Sequence, residues 1–292
     1  MKLGFIGFGE VGFEIARGLK KEGISGVIAY DPLAVDAVYG SLLRERAAEA
    51  AVELVATPVE VTRQADVILG ATQGSEALQA ALDSIPGIGA GKIYADVSTS
   101  SAPTKKKIAA AVEARQAFFV DGALMSSISL QQHKTPTLVS GSGSDRFIGL
   151  LAPYNMSLEK VSDVAGDAIA IKLVRSIYMK GIASLAVEML EAAAKLQVDT
   201  PVLKSIGETL DATSFNELLN WLVPAGAIHA QRQAHEMSDV TAMLQEIGVE
   251  PTMTIATTKR LHWLIEKNAK DRFKGKKPAT WDIIVRSWEE SP

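Results

Sequence analysis

Short β-branched runs alternate with helical stretches over the first half of this chain, and after residue 163 only helical patterns remain. The strand-like runs are KLGFIGF, GVIAYD, VELVATP, DVILGAT, GKIYADVS, AFFVDGAL and TPTLVSGS. Between them lie helical stretches such as EVGFEIARGLKKEG, SLLRERAAEAA, PVEVTRQ, SEALQAALDSI and TKKKIAAAVEARQ. Strands that alternate with helices pair in parallel, so the pattern specifies a parallel sheet covered on both faces. At 292 residues the chain exceeds a single core. Two domains are expected, residues 1–163 and 164–292, with one helix over about 165–196 opening the second. At 1.5 Å per residue that helix runs roughly 45 Å, long enough to join them. Further helical segments should be punctuated at Gly207, Pro224, Gly248 and Pro251. The expected architecture is α/β: an N-terminal parallel-sheet domain, a long interdomain helix and an all-α C-terminal domain.

Composition removes several function classes. A net charge of -4 leaves no electrostatic footprint for nucleic acid or an anionic membrane surface. There is no cysteine, which excludes disulfides, thiolate nucleophiles and cysteine-ligated zinc, and suits a reducing, cytoplasmic setting. The apolar residues at the N-terminus belong to a strand and not to a signal core. The long helix carries Asp167, Lys172, Arg175, Lys180, Glu188 and Glu191, too much charge for a lipid-facing span.

GFGEVG ends the first strand and opens the first helix, with Gly7, Gly9 and Gly12 in G-x-G-x-x-G spacing. In that context the pattern is a dinucleotide fingerprint. Gly7 permits a tight turn, Gly9 lets a pyrophosphate approach, and Gly12 allows close helix–strand contact. The turn Gly7, Phe8, Gly9, Glu10, Val11 and Gly12 then faces the phosphates with the N–H groups of a helix start. Asp31 ends the second strand, where a carboxylate can accept from ribose hydroxyls and repel a 2′-phosphate. The preferred cofactor is therefore NAD, with NADP left open. The other reading of Asp31 is a turn cap before Pro32.

The chain has no Tyr-x-x-x-Lys pair, and none of His133, His229, His235 and His262 shows H-E-x-x-H spacing, so neither a tyrosine base nor a zinc site is indicated. Lys172, flanked by Ala170, Ile171, Leu173 and Val174, is the unexplained charge. Hydride chemistry on an alcohol needs a group to take the hydroxyl proton, and a lysine amine can do so. The plainer reading is a polar stripe of Lys172, Ser176 and Lys180 at four-residue steps.

Taken in order, these elements resemble the β-hydroxyacid dehydrogenase superfamily, which includes 3-hydroxyisobutyrate and 6-phosphogluconate dehydrogenases. The family's G-x-G-x-x-x-K-x-x-N-N element is similar to the stretch with Gly166, Ala168, Lys172, Arg175 and Ser176. Its D-x-S-T element is similar to DVSTSSAP, with Asp96, Ser98, Thr99 and Pro103, and D-A-P-V-S-G-G to DGALMSS at residues 121–127. The resemblance implies a Rossmann domain joined by a long helix to a helical domain, and a homodimer through the latter. It implies Lys172 as general acid/base in the interdomain cleft, with Thr72, Ser98 and Thr99 beside the cofactor. The substrate would be a small hydroxy acid or its keto or semialdehyde partner. Departures fall in the substrate site. Met125, Ser126 and Ser127 replace S-G-G, and Arg175 and Ser176 replace the asparagines. Ser126, Ser127, Arg175 and Ser176 are the expected substrate contacts, and His235, aligned with a later family lysine, is expected to approach the site. Two alternatives accompany this reading: an imine reductase on the same architecture, and a non-catalytic NAD(H) sensor.

Overall fold

The structure, a computed structural model, describes residues 1–289. Strand Lys2–Ile6 (β1) leads through the glycine turn into helix Glu10–Lys21 (α1) and strand Gly26–Tyr30 (β2). Then follow α2 (Gly40–Glu49), β3 (Glu53–Leu54), α3 (Pro58–Gln64), β4 (Val67–Gly70), α4 (Ala77–Ser84), β5 (Ile93–Asp96), α5 (Ala102–Glu113) and β6 (Phe118–Leu124). The chain continues through α6 (Ile128–Gln131), β7 (Thr137–Ser140), α7 (Ser144–Leu151) and β8 (Leu158–Ser162) into the long helix α8 (Asp167–Leu196). Six further helices follow among the described residues: α9 (Asp199–Asp211), α10 (Phe215–Ile228), α11 (Ala230–Glu246), α12 (Thr252–Glu266), α13 (Ala269–Arg272) and α14 (Trp281–Arg286).

The strands form one sheet in the order β3-β2-β1-β4-β5-β6-β7-β8. Its two faces are buried under different helices. Leu3, Phe5, Val27, Val67 and Leu69 pack with Ile15 and Leu19 of α1, whereas Ile6, Ile28, Ile68 and Tyr94 pack with Val61 of α3 and Ile108 of α5. Alternate residues of each strand thus serve opposite cores, which is why the strands read as continuous apolar runs. The chain leaves β1 toward β2 and later returns to its other side as β4, so a crevice opens beyond the carboxyl ends of β1 and β4.

Three local features differ from the expectation. β7 runs antiparallel to β6, because the connection between them holds only the four-residue α6 and a 3-10 turn, too little for a parallel crossover. β8 is not evident from sequence because the edge strand LEKVS is half-exposed and has no apolar alternation. Gly207 and Pro224 lie within α9 and α10, and the chain breaks instead at His229.

The chain divides into two compact units, Met1–Ile177 and Tyr178–Pro292, so the boundary lies inside α8 and not at 163/164. The reason is packing: Ala168 and Ile169 in the first turn of α8 are fully buried with Ala123 and against Leu138 and Val161 of the sheet unit. Among the described residues, no helix is long and apolar enough to cross a membrane.

In the second unit Glu188 is buried, and its carboxylate caps α12, accepting from Met253 N at 2.6 Å, Thr254 N at 2.9 Å and Thr254 Oγ1 at 2.6 Å. Burial works to raise the pKa of this carboxyl, but the bonds from Thr254 and Met253 outweigh it and hold it below its usual value. A depressed carboxyl pKa contributes stability above the unfolded value of 4.5 that is lost as pH falls through the folded value. Glu188→Ala should therefore cost about 2 kcal/mol at neutral pH. In thermal melts the gap from the parent protein should shrink below about pH 4. A gap independent of pH would refute the charged cap.

Candidate active site

Each glycine of the GFGEVG turn has its own physical reason. Gly7 has φ +88°, and a Cβ there would lie 2.8 Å from the Ala71 carbonyl. A Cβ on Gly12 would lie 2.6 Å from the Gly7 carbonyl, so helix α1 sits against its own turn. A Cβ on Gly9 would meet nothing within 4 Å, which leaves open space over the start of α1. No side chain caps that helix, and its first intrahelical donor is Phe13 N, bonded to Gly9 O at 3.0 Å. The preceding N–H groups thus face a free approach, as a pyrophosphate requires.

Asp31 closes the other side of the turn. Its Oδ2 accepts from Phe8 N at 2.8 Å, and its Oδ1 accepts from Leu33 N at 2.9 Å. The carboxylate is therefore both a cap and the link that holds the glycine turn to β2, and each oxygen retains a second lone pair. A cavity of about 490 Å³ opens here, lined by Gly7, Gly9, Asp31, Leu33, Thr72 and Gln73 among others. Its acidic lining residues are Asp31, Glu76 and Asp83, and no lysine or arginine lines it among the described residues. The open helix start and the acidic pocket fit a dinucleotide.

A second cavity of about 310 Å³ shares Ala71, Thr72 and Gln73 with the first. Val11, Ser98, Thr99, Leu124, Ser126, Ile128 and Lys172 also line it. All of these belong to the first unit. The loop carrying Ser98 and Thr99 runs from the end of β5 to Ser101, which caps α5 by accepting from Thr104 N at 3.3 Å. Helix α8 starts where Gly166 turns at φ +99°. Its first N–H groups are held by Ser140 Oγ, 3.1 Å from Ala168 N, and by Asp121 Oδ2, 3.0 Å from Ile169 N. One turn on, Lys172 is half-buried and its Nζ donates to Thr99 Oγ1 at 3.1 Å. The ammonium in an apolar helix is thereby directed into the cavity that adjoins the glycine turn.

The two cavities bring together Gly7, Gly9, Val11, Asp31, Thr72, Ser98, Thr99, Ser126 and Lys172 of the residues singled out from sequence. The others stand apart. The Phe8 ring is fully buried between Phe5 and Phe13, so only its main chain belongs to the turn. Glu10 is exposed and lines neither cavity. Ser127 Oγ lies 2.9 Å from Ser129 Oγ at the start of α6, outside the lining. Ser176 Oγ donates back to the Lys172 carbonyl at 2.9 Å, and Arg175 is exposed on α8. Neither lines either of these two cavities. His235 belongs to the second unit, where it lines a cavity of about 660 Å³ with His229, Arg232 and Lys270. Sequence reasoning passed over Gln73 and Gly74, which form the turn after β4. A Cβ on Gly74 would lie 2.1 Å from the Thr99 carbonyl, so only glycine lets the two loops meet. It also passed over Glu76 and Asp83, whose role emerges only from the fold.

Comparison with known proteins agrees with this geometry. Residues 2–145 match the NAD binding domain of 6-phosphogluconate dehydrogenase, and residues 193–264 match a domain of unknown function, DUF1932. An uncharacterized 28.5 kDa protein of Methanothermus fervidus is 25% identical over 270 residues, covering 91% of this chain and all of the relative. A conserved protein of unknown function, whose structure was described as similar to 3-hydroxyacid dehydrogenases, is 29% identical. It matches with a TM-score of 0.62 over 94% of this chain and 100% of its own. An imine reductase from Myxococcus stipitatus, solved with NADP+, has a TM-score of 0.73 at 14% identity, covering 98% and 99% of the two chains. At that identity the likeness shows the fold alone.

Proposed function

The chain belongs to the β-hydroxyacid dehydrogenase superfamily, and on that premise we propose that it is an NAD-dependent oxidoreductase of small hydroxy acids or their keto or semialdehyde partners. The observation that carries this reading is the Lys172–Thr99 contact at 3.1 Å in a cavity continuous with the glycine turn. A nicotinamide dinucleotide, when bound, supplies or accepts the hydride. On this reading the N–H groups at the start of α1 hold the pyrophosphate and Asp31 accepts from the ribose hydroxyls. Lys172 takes the hydroxyl proton in oxidation and returns it to the carbonyl oxygen in reduction. Thr99 accepts from the Lys172 amine and orients it, while Ser126 offers a hydroxyl to the substrate. In the reductive direction the protonated head of Lys172 suits an anionic substrate. Ser127, Ser176, Arg175 and His235 are not assigned a contact with it.

The imine-reductase reading is supported only by a fold likeness at low identity. A lysine amine directed into the cavity favours alcohol and carbonyl chemistry instead. The experiment is formation of NADH, followed by its ultraviolet absorbance, over a panel of small 2- and 3-hydroxy acids and sugar acids. Turnover of at least one acid is the expected result. Cyclic imine reduction without oxidation of any acid would overturn the reading, as would NADH binding with no turnover and a co-purifying partner, which a sensor would show.

We further propose a homodimer through the helical unit. Its support is large apolar side chains left exposed there: Leu185 and Val187 of α8, Leu203 and Ile206 of α9, and Trp221 and Leu222 of α10. Sedimentation should give twice the chain mass, and Val187→Glu combined with Leu203→Glu should give the chain mass. A parent protein that sediments as a single chain at micromolar concentration removes the dimer.

A further inference from the structure

We infer that Lys105, which lines neither cavity, is a positioning residue for Lys172; the inference rests on the reading of Lys172 as the proton-transferring group. Lys105 lies on α5 and is completely buried. Its Nζ donates to the Asp96 carbonyl at 2.6 Å and lies 3.2 Å from both Asp96 Oδ2 and Asp121 Oδ1. Asp96 and Asp121 are register partners on the adjacent strands β5 and β6, so without a cation between them two buried carboxylates would face each other.

From this centre two routes lead to Lys172. On one side Asp96 Oδ1 accepts from Ser98 N at 2.9 Å and its Oδ2 from Ser98 Oγ at 3.1 Å, which fixes the loop one residue before Thr99. On the other, Asp121 Oδ2 accepts from Ile169 N at 3.0 Å and from Ser140 Oγ at 3.3 Å, and Ser140 Oγ accepts from Ala168 N. The trio carries one excess negative charge, directed at the positive end of the α8 dipole. Lys172 lies three and four residues beyond Ile169 and Ala168, on the same helix face. The Lys172–Thr99 bond then closes the ring. Lys105 is the one member that touches both carboxylates, so it sets the distance between the loop that carries Thr99 and the helix that carries Lys172.

Stability alone is a weak reason for such a trio. A buried ion cluster costs desolvation, and apolar side chains of similar volume commonly stabilise as well or better. What apolar packing cannot supply is directed hydrogen bonds to two separate backbone segments.

The test compares the parent protein with Lys105→Met, Lys105→Met/Asp121→Asn and Thr99→Val. The double variant removes the stranded carboxylate charge while keeping an acceptor for Ile169, and serves if the single variant does not fold. Three readouts are taken: amide hydrogen exchange, NADH binding, and the pH profile of Lys172 acylation by acetic anhydride, followed residue by residue by mass spectrometry. Lys204, with 76% of its side chain exposed, is the internal reference. In the Lys105 variants, residues 97–100 and 167–173 should exchange about tenfold faster, with α1 unchanged. The midpoint of Lys172 acylation should move by about half a pH unit or more, as in Thr99→Val, while NADH affinity stays within about twofold. Uniformly faster exchange with the Lys172 midpoint unmoved would show a merely structural role and overturn the inference. Lys172 titrating alongside Lys204 in the parent and every variant would instead overturn the proton-transfer reading, and the inference with it.

Discussion

Lys172→Met should abolish hydroxy-acid oxidation, lowering kcat by about 10²–10⁴-fold, while NADH affinity stays within about twofold. Methionine keeps most of the volume of the side chain and the apolar packing of its stem, but it can neither take nor return a proton. The substitution removes the hydrogen bond to Thr99 Oγ1, yet Thr99 lies on a loop whose geometry is set independently through Asp96 and Ser98. On the proposed function, cofactor binding depends chiefly on the glycine turn and Asp31, which line the adjoining cavity. The expected signature is therefore a loss in kcat much larger than any change in NADH binding. Thr99→Val, which removes the acceptor and leaves the amine, should lose less, about 10-fold. Near-parent turnover in Lys172→Met would remove the lysine from the chemistry. The same result would revive the plainer reading in which Lys172, Ser176 and Lys180 form a polar stripe. Ser176 already shows part of that bland behaviour, since its hydroxyl is spent on its own helix.

How far the molecule was legible from sequence depends on whether the signal was local. The glycine turn was readable because strand, turn and helix are contiguous: Gly7 answers to its φ, Gly12 to a clash with the Gly7 carbonyl, and Gly9 to the open space above the helix start. The sheet and helix alternation was readable because the central strands β1, β2 and β4 each feed two cores and are apolar throughout. β8 was not, because an edge strand half in water has no pattern to follow, and the reversal at β7 depends on a connection length and not on composition. The same contrast runs through the site. Lys172 stood out because its neighbours are apolar, but Lys105 sits in the run Lys105-Lys106-Lys107 and reads as solvent-facing charge. A signal was present: Lys105 shares helical spacing with Ile108, Ala109 and Val112, all buried, which puts it on the core face of α5. Glu76 and Asp83 carried no such signal, since only the fold brings them beside Asp31.

Those carboxylates lead to the second large effect, a preference for NAD over NADP of about tenfold or more in dissociation constant, equivalent to about 1.4 kcal/mol. A 2′-phosphate carries nearly two negative charges and would enter a cavity lined by Asp31, Glu76 and Asp83. Asp31→Asn should lower NAD affinity about tenfold by removing charged acceptors for the ribose hydroxyls. It should leave NADP affinity unchanged or improved, so the preference collapses. The substitution also disturbs structure, because Asp31 accepts from both Phe8 N and Leu33 N and an asparagine offers only one oxygen. A loss of about 1 kcal/mol of stability is expected on that account alone. The ratio of the two affinities separates these effects: damage to the turn weakens both dinucleotides alike, because both present the same pyrophosphate to the same N–H groups, whereas lost charge repulsion acts only on the phosphorylated ribose. Equal weakening of NAD and NADP in Asp31→Asn would make Asp31 a cap and no more. Parent protein that binds NADP as tightly as NAD would show that the acidic pocket does not face the ribose at all.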